Sequence, residues 1–471
     1  MMKETTLDII LKQEEVSRAE KVRLVLSMSL PAILAQLTSI AMQYIDAGMV
    51  GSMGANATAS IGLVSSTTWL IGGSCIGLSA GFYVQIAQLI GAGRDSEAEN
   101  VLRQGLKTVV VLGILISVLC YAIGGSLPRW LGGDREIWSD SSAYFRVYCL
   151  AVPFVLLRQL STGTMQSTGD MKTPSILSAV VCFLDVILNS FMIFPTRTVS
   201  LPGLIPEVTI PGAGLRVVGA ALATTLSEVI ISLVALYLVA TRNKRISLRN
   251  EGSWKWRRQT VMNAAKIGIP LSFDQIFMCS AYVAGTRIVA TLGTVAVAAN
   301  SLAITAESLC YMPGYGIGAA ATAIIGQTIG AGRRDLTRSF SRVSVCLGMV
   351  LMGLTGVLMY FGAPVVFSML TSSAEVAALG TAVLRIELVA EPLYGASICC
   401  AGAFRGAGDT LTPSVMNLVS MWCVRIVLAL VLVPRMGLHG YWTAMALELC
   451  FRGVIFLARL FRGKWMKKAM V

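Results

Sequence analysis

The long apolar segments of this sequence contain a few acidic residues, which are costly in such surroundings and commonly serve a function. Asp46 lies in the segment MQYIDAGMV, while Asp185 and Asn189 lie one helical turn apart in CFLDVILNS. A carboxyl group in a low-dielectric helix bundle can bind and release a proton near neutral pH. Carboxylate and amide oxygens are also ligands for a hard cation such as Na+. These three residues therefore predict a site for H+ or Na+.

The second half of the chain carries three more candidate acids for cation or substrate binding, Asp274, Glu307 and Glu391. Glu391 precedes Pro392, where a kink could open a cavity. The alternative role for these acids is a structural ion pair with Arg287 or Arg385. Since Arg385 has a counterpart at Arg146 in the first half, we expect it to serve the architecture.

Composition places all of these residues in a membrane protein. Apolar residues make up 55% and charged residues 13% of the 471, and the mean hydropathy is +0.72, whereas soluble domains carry about 25% charged residues. His439 is the only histidine, and the eleven cysteines lack the spacing of a disulfide framework or a zinc site. Motifs of the common hydrolases and nucleotide-binding loops are missing from the sequence. We expect a transporter rather than an enzyme, without a cofactor other than the coupling ion.

Twelve apolar segments are long enough to cross a bilayer, which requires about 20 residues. The predicted fold class is therefore all-α, a polytopic membrane protein. We number the segments spans 1 to 12 and place them near residues 27–50, 58–86, 104–126, 140–162, 174–195, 217–241, 263–289, 296–325, 340–362, 378–401, 413–434 and 438–459.

Basic residues set the expected orientation, because they accumulate on the cytoplasmic side. They are concentrated before span 1, between spans 6 and 7 and after span 12, so both termini are predicted to be cytoplasmic. The loops of the other side hold only Arg129, Arg135, Arg197, Arg216 and Arg435. The net charge of +13 is then explained by anionic lipids of the cytoplasmic membrane. A nucleic-acid partner is not needed, and we expect a monomer.

The two halves of the sequence repeat each other at an offset of 239 residues, which holds without a gap up to Pro195, where the first half carries roughly 18 extra residues between spans 5 and 6. Pro31 recurs as Pro270, and QLIGAGR at 88–94 recurs as QTIGAGR at 327–333. Each half has six spans, an even number, so both insert with the same orientation. Transporters built from such parallel repeats bind substrates at the interface between the repeats.

The repeat defines the expected domains, but the residues of the candidate site are not repeated in the second half. We predict a lead-in helix at residues 1–26, an N-lobe of spans 1 to 6 at 27–241 and a cytoplasmic linker at 242–262. A C-lobe of spans 7 to 12 follows at 263–459, and a basic tail at 460–471. The counterparts of the three site residues in the second half are Gly285, Val424 and Leu428. This asymmetry favours a functional role over a structural one.

Other repeated residues are predicted to be structural. Asp170 and Asp409, each following a glycine, are typical of helix stops and N-caps in tight turns. Gly73, Gly77 and Gly81 predict a face of small residues for close helix contact in span 2.

Together, the repeated motifs resemble the multidrug and toxic compound extrusion (MATE) family. They are the proline at the head of span 1, Asp46 followed by VGSMG, the loops IAQLIGAGR and IGQTIGAGR, and the turns STGDMKTP and GAGDTLTP. The resemblance covers nearly the whole chain. It implies a V-shaped pair of six-helix bundles that exports small organic molecules, often cationic, in exchange for H+ or Na+.

Within that family the sequence is more similar to the DinF-like than to the NorM-like branch. The resemblance implies an acid on span 1 and an asparagine and an aspartate four apart on span 5, which Asp185 and Asn189 provide in the opposite order. Thr224 matches a polar position near that cluster, and Gln36 on span 1 is a further candidate. A C-lobe acid of the NorM-like branch is expected near Tyr394, where this chain has none.

Beside cation-coupled export of small organic compounds by alternating access, we consider one other transport function and one function of a different class, for which the spans and loops leave no room. The first is a flippase for a lipid-linked or polyisoprenoid substrate, whose relatives often have extra spans or an arginine-rich cavity. The second is an intramembrane enzyme or a receptor-like protein, which would need a catalytic set or a sizeable extramembrane domain.

Overall fold

The computed structural model describes residues 6–201, 205–243, 245–249 and 252–468. The predicted all-α class is confirmed, since nearly all of these residues are helical. The ends of the predicted lead-in and tail, and parts of the linker, lie outside the described residues. Ten described helices are long and apolar enough to cross a membrane: Arg18–Gly51, Ala55–Gly91, Asp95–Ile123, Arg135–Ser167, Lys172–Met192, Arg216–Thr241, Arg258–Ala290, Thr294–Gly330, Arg334–Leu370 and Leu411–Met436.

These ten helices correspond to spans 1 to 9 and 11, and spans 10 and 12 are also helical. Span 10 is broken into Ala374–Glu387, a 3-10 turn at Leu388–Ala390, and Glu391–Gly406. Span 12 is Leu438–Arg462, whose apolar character is interrupted by charged residues. Span 11 contains one wide π-helical turn, Ser420–Ile426. Most helices continue several residues past the predicted spans, because helical hydrogen bonding does not stop where the apolar sequence ends.

Short elements fill the connections between the spans. An N-terminal helix, Thr6–Lys12, precedes span 1, and the turns Leu127–Trp130 and Lys464–Lys468 follow spans 3 and 12. The described extra residues between spans 5 and 6 include two paired strands, a hairpin that the sequence did not predict. Its strands, β1 (Pro195–Leu201) and β2 (Ile205–Ala213), are antiparallel, with Val199 paired to Val208.

The repeated turns serve largely as predicted. Gly169 and Gly408 have φ of 87° and 80°, a conformation that favours glycine. The carboxylate of Asp170 accepts a hydrogen bond from the backbone N–H of Thr173 at 3.0 Å, as an N-cap does. The prediction was wrong for Asp409, whose carboxylate instead pairs with Arg459 of span 12.

The two lobes meet along spans 2 and 7 and along spans 1 and 8. A Cβ atom placed on Gly81 would lie 2.2 Å from the carbonyl oxygen of Ala264, and one on Gly77 would lie 2.9 Å from the backbone nitrogen of Ser272. The predicted small-residue face of span 2 is therefore confirmed, and its partner is span 7. Close backbone contact of this kind replaces the hydrophobic driving force that helices lack in lipid.

A symmetric pair of hydrogen bonds holds the lobes together at the end of the molecule that carries the basic linker, which we call the basic end. The amide of Gln88 on span 2 donates to the carbonyl oxygen of Gly406 at 3.0 Å, and the amide of Gln327 on span 8 donates to that of Ser167 at 2.6 Å. Both pairs of residues are 239 apart in the sequence. We call these two bonds the cross-lobe latch.

The N-terminal helix lies at the basic end and contacts the C-lobe and the linker. Leu7 and Ile10 are 1% and 5% exposed and pack into the C-lobe core. Asp8 pairs with Arg245 of the linker, while Arg333 of the C-lobe donates to the carbonyl oxygen of Gln13 at 2.8 Å. The helix thus adds to the closure of this end.

Candidate functional site

The three polar residues predicted from spans 1 and 5 form one hydrogen-bonded cluster. The side-chain nitrogen of Asn189 lies 3.0 Å from Asp46 Oδ1 and 2.9 Å from Asp185 Oδ2, and donates to both. The serine hydroxyl of Ser227 on span 6 donates to Asp185 Oδ1 at 3.1 Å. Asp185 and Asn189 are 0% and 2% exposed, and Asp46 is half-buried. We call these four residues the N-lobe cluster.

Helix geometry explains why these side chains meet. Residues four apart lie on one face of a helix, so Asp185 and Asn189 both point from span 5 toward span 1. Asp46 lies five residues before the end of span 1 at Gly51, and Asn189 lies three residues before the end of span 5 at Met192. The cluster is therefore near the end of the lobe opposite to the basic end.

The N-lobe cluster contains more negative than positive groups. The carboxyl groups of Asp46 and Asp185 interact with each other directly. The nearby cation Arg158 is held by Glu228 in a two-pronged ion pair, with N–O distances of 2.7 and 3.0 Å. Two adjacent carboxylates away from water are unfavourable unless a proton or another cation is shared between them.

Oxygen atoms around the two acids suit such a cation. The amide oxygen of Asn189 is buried and accepts no hydrogen bond from the described residues. The hydroxyl of Thr224 also interacts with Asp185, which places this predicted residue at the edge of the cluster. No group of three His, Cys, Asp or Glu side chains in the described part of the chain is arranged to hold a metal ion. A cation here would depend on amide and hydroxyl oxygens as well as on the two acids.

The remaining predicted residues lie elsewhere. Gln36 is ten residues before Asp46 on span 1, about 15 Å along the helix, and does not join the N-lobe cluster. In the C-lobe, Asp274 accepts a hydrogen bond from the amide of Asn417 at 3.0 Å. Asn417 is not among the site residues predicted from the sequence.

The ion pairs considered for the C-lobe acids were wrong. Arg385 instead donates to the carbonyl oxygen of Tyr360 at 3.0 Å, which agrees with its predicted architectural role. Glu307 interacts electrostatically with Arg425. Arg425 in turn binds Glu448 of span 12 at 2.6 Å, and Arg452 binds the other oxygen of Glu448 at 2.5 Å.

Sequence reasoning missed Ser227, Arg158 and Asn417. Ser227 could have been found, because it precedes Glu228 and lies within the same predicted span as Thr224. Arg158 was overlooked as a charged residue within span 4. Asn417 carried no signal, since an uncharged amide in an apolar span is common.

Comparisons with known proteins agree with this architecture. A family model described as MatE matches residues 31–191 and 270–431, more than half of the chain. This chain belongs to the MatE family. The two matched stretches begin 239 residues apart, at the offset of the sequence repeat.

Individual MatE proteins resemble the chain over almost its full length. A probable multidrug resistance protein NorM from Thermotoga maritima is 24% identical over 463 residues, covering 98% of this chain and 96% of that protein. The multidrug resistance protein MdtK from Edwardsiella ictaluri is 23% identical over 459 residues, covering 95% and 96%. An outward-facing multidrug resistance MATE family transporter superimposes with a TM-score of 0.87 at 22% identity, covering 99% of this chain and 100% of that one.

These names bear on two expectations. They describe resistance proteins and a transporter, which agrees with the expectation that the chain is not an enzyme. They do not support the expected DinF-like branch, because the names of the similar proteins are NorM and MdtK.

Proposed function

We propose that this MatE protein is a cation-coupled antiporter that exports small organic compounds by alternating access. The observation that carries the proposal is the position of Asn189 between Asp46 and Asp185, at 3.0 and 2.9 Å. The relatives' description as multidrug resistance proteins supports the substrate class. The coupling ion is H+ or Na+.

The charge of the N-lobe cluster supplies the coupling. When a cation neutralises the two acids, spans 1 and 5 can remain packed against each other. When the cation leaves, the carboxylates repel each other and need water or another cation, such as an organic substrate with positive charge. Inward cation movement and outward substrate movement then use the same pair of acids in turn.

The lobes supply the movement. The cross-lobe latch closes the basic end, which the positive-inside rule assigns to the cytoplasm, with both termini on that side of the cytoplasmic membrane. Access from that side requires both hydrogen bonds of the latch to break, and rocking of two parallel repeats is the expected motion. Anionic lipids are proposed to contact the basic end, and the working unit is proposed to be the monomer.

The branch is proposed from the site residues. An acid on span 1 with an acid and an amide on span 5 supports a DinF-like cation site, although the relatives carry NorM and MdtK names. The exchanged order of Asp185 and Asn189 moves the span-5 charge by one helical turn, about 5.4 Å. This shift affects which cation the site prefers, H+ or Na+, more than it affects whether a cation binds there.

Transport in proteoliposomes tests the proposal. Uptake of ethidium or norfloxacin into inside-out vesicles is measured with a proton gradient alone and with a sodium gradient alone. We expect accumulation under one gradient and collapse when an ionophore dissipates it. Protein-free liposomes and the Asp46→Asn variant are the controls. If neither compound accumulates under either gradient, the result counts against the proposal.

A further inference from the structure

The linker between the lobes is held along span 3 by polar side chains of that helix. Asn100 Oδ1 accepts a hydrogen bond from the backbone N–H of Ser253 at 3.0 Å, and Gln104 Oε1 accepts one from that of Arg257 at 2.9 Å. The two acceptors are four residues apart and share one face of the helix. This face therefore fixes the course of the chain at residues 253–258, which we call the docked linker.

Two tryptophans of the docked linker lie on the surface of the protein. Trp254 and Trp256 are 46% and 59% exposed. Lys107 Nζ of span 3 donates to the carbonyl oxygen of Trp254 at 2.7 Å and lies 5.6 Å from the centre of its ring, a cation–π contact. These three side chains, with Ser253 and Lys255, line an open groove of about 590 Å³. The ring of Trp254 is thus held in place although it is exposed.

The groove lies at the end of an apolar surface on span 3. Val111, Ile114 and Val118 follow Lys107 on the same helix face and are all exposed. Span 3 packs mainly on spans 2 and 4, so this face is at the periphery of the N-lobe, where acyl chains of the bilayer surround it. Lys107 and Trp254 begin one helical turn, about 5.4 Å, before this surface, which is the level of the lipid headgroups.

The docked linker is basic. Its cations are Lys255, Arg257 and Arg258, which are all exposed, and it contains no acid. None of the three forms an ion pair with an acid among the described residues. Tryptophan is typical of the interface between bilayer and water, and cations at that level attract anionic headgroups. The docked linker combines both features.

Position separates a lipid from other anionic partners of this surface. A nucleic acid or an acidic protein segment would suit the charge of the docked linker equally well. Either of them would have to displace phospholipid from a groove that borders the acyl chains. A phospholipid instead places its headgroup in the groove and its chains along Val111 and Ile114. The position of the groove therefore favours lipid.

We propose that the docked linker and Lys107 form a binding site for the headgroup of an anionic phospholipid. The repeat counterparts of Gln104 and Lys107 are Val343 and Cys346, which cannot supply the same contacts, so the site belongs to the N-lobe alone. Arg258 is also the first residue of span 7, so bound lipid restrains the point at which the linker enters the C-lobe. The inference deepens the proposed contact of anionic lipids with the basic end, and it does not depend on the antiport.

Quenching of tryptophan fluorescence by brominated lipids tests the proposal on the purified full-length protein in nanodiscs. The nanodiscs contain equal amounts of phosphatidylglycerol and phosphatidylcholine, with bromine on the acyl chains of one lipid or the other. The difference between the unchanged protein and the variant Trp254→Phe/Trp256→Phe gives the quenching that belongs to the docked linker. We expect this quenching to be stronger with brominated phosphatidylglycerol. Equal quenching by the two lipids would overturn the proposal, and no quenching by either would leave the surface to a soluble partner and overturn it as well.

Removal of the positive charges separates headgroup recognition from a general place at the interface. The variant Lys255→Gln/Arg257→Gln/Arg258→Gln keeps both tryptophans and should lose the preference for phosphatidylglycerol. All three residues are exposed, so we expect the variant to fold. If the preference survives in this variant, the docked linker does not recognise the headgroup and the proposal is wrong.

The matched charge control removes three exposed cations of the tail at the same end of the molecule, in the variant Arg462→Gln/Lys464→Gln/Lys467→Gln. This variant should keep the preference. Equal loss in the two triple variants would show that total charge, and not this site, attracts the anionic lipid, which would overturn the proposal.

The tryptophan control is Trp69→Phe, because Trp69 is exposed on span 2, a helix without charged residues. The quenching that this variant removes should be the same with either brominated lipid. A preference for phosphatidylglycerol at Trp69 as well would remove the case for a site at the docked linker. None of these measurements requires transport, so the gradient assay can fail while the lipid site stands, and the lipid site can fail while the gradient assay succeeds.

Discussion

Asn417 donates a hydrogen bond to Asp274 at 3.0 Å, linking the fifth span of the C-lobe to its first. Asn189 makes the same link to Asp46 in the N-lobe, and both pairs are 143 residues apart in the sequence. The pairs are nevertheless not repeat counterparts, because Asp274 matches Ala35, eleven residues before Asp46. The C-lobe pair thus lies about 16 Å nearer to the basic end. Each lobe offers a carboxylate and an amide at a different depth in the membrane.

Replacement of Asp46 by Asn is expected to abolish gradient-driven transport while leaving the protein folded. Asparagine has nearly the same shape but cannot bind a proton or carry the charge that a coupling cation requires. Uptake into proteoliposomes is measured beside thermal unfolding in detergent. Asp134→Asn, a change at an exposed acid of the turn between spans 3 and 4, serves as the control and should transport normally. Transport by the Asp46 variant at the unchanged rate would refute the N-lobe mechanism.

Replacement of Glu448 by Gln is expected to destabilise the C-lobe severely. Glu448 is 0% exposed and binds both Arg425 and Arg452, so its loss leaves two buried guanidinium groups without the carboxylate that binds them. Removing one partner of a buried ion pair costs about 3–5 kcal/mol. Thermal unfolding followed by tryptophan fluorescence measures the effect.

The matched control is Glu97→Gln, which removes the partner of Arg94 in an exposed pair with side chains 41% and 49% exposed. Exposed pairs contribute about 0–1 kcal/mol, so the unfolding temperature should barely change. Equal shifts for the two variants would contradict the view that burial decides the cost.

Loss of the cross-lobe latch is expected to open the basic end more often. Gln88→Ala and Gln327→Ala each remove one interlobe hydrogen bond, worth about 1 kcal/mol, which corresponds to roughly a fivefold change in the population of the open state. The double variant should show the larger shift. Distances between spin labels on the turns after spans 2 and 8 report the two populations.

The control for the latch is Gln259→Ala, because Gln259 is exposed at the same end and its side chain bonds, among the described residues, within its own helix to Asn263 at 3.1 Å. It should leave the distance distribution unchanged. A double latch variant that keeps the distribution of the unchanged protein would show that other contacts hold this end closed.

The sequence predicted the fold well because the repeat and the apolar spans are local patterns. The latch residues Gln88 and Gln327 were visible as repeated glutamines, but their partners were not, since both accept through backbone carbonyl oxygens. The hairpin was missed although its strands alternate between apolar and polar residues around a Pro-Gly pair, a usable strand signal.

The N-lobe cluster was predictable as a set of residues but not as a network. Asp185 and Asn189 share a helix face, which four-residue spacing reveals. The bond from Asn189 to Asp46 depends on the rotation of span 5 against span 1, which a single sequence does not encode visibly. The hydrogen bond between Asp274 and Asn417 could not be predicted for the same reason. The repeat counterparts of these two residues are Ala35 and Ser178, so the N-lobe gave no indication of the pair.

Replacement of Gly91 by Ala is expected to prevent full closure of the basic end. A Cβ atom at Gly91 would lie 2.0 Å from the carbonyl oxygen of Gln327, and backbone of the opposite lobe cannot move aside as a flexible side chain can. The lobes must therefore separate slightly, which weakens both latch bonds and shifts the spin-label distances toward the open state. Gly48→Ala is the control, since a Cβ atom there meets nothing within 4 Å. If both alanine variants show the closed distance, the lobes are not packed as closely at this end as the structure describes.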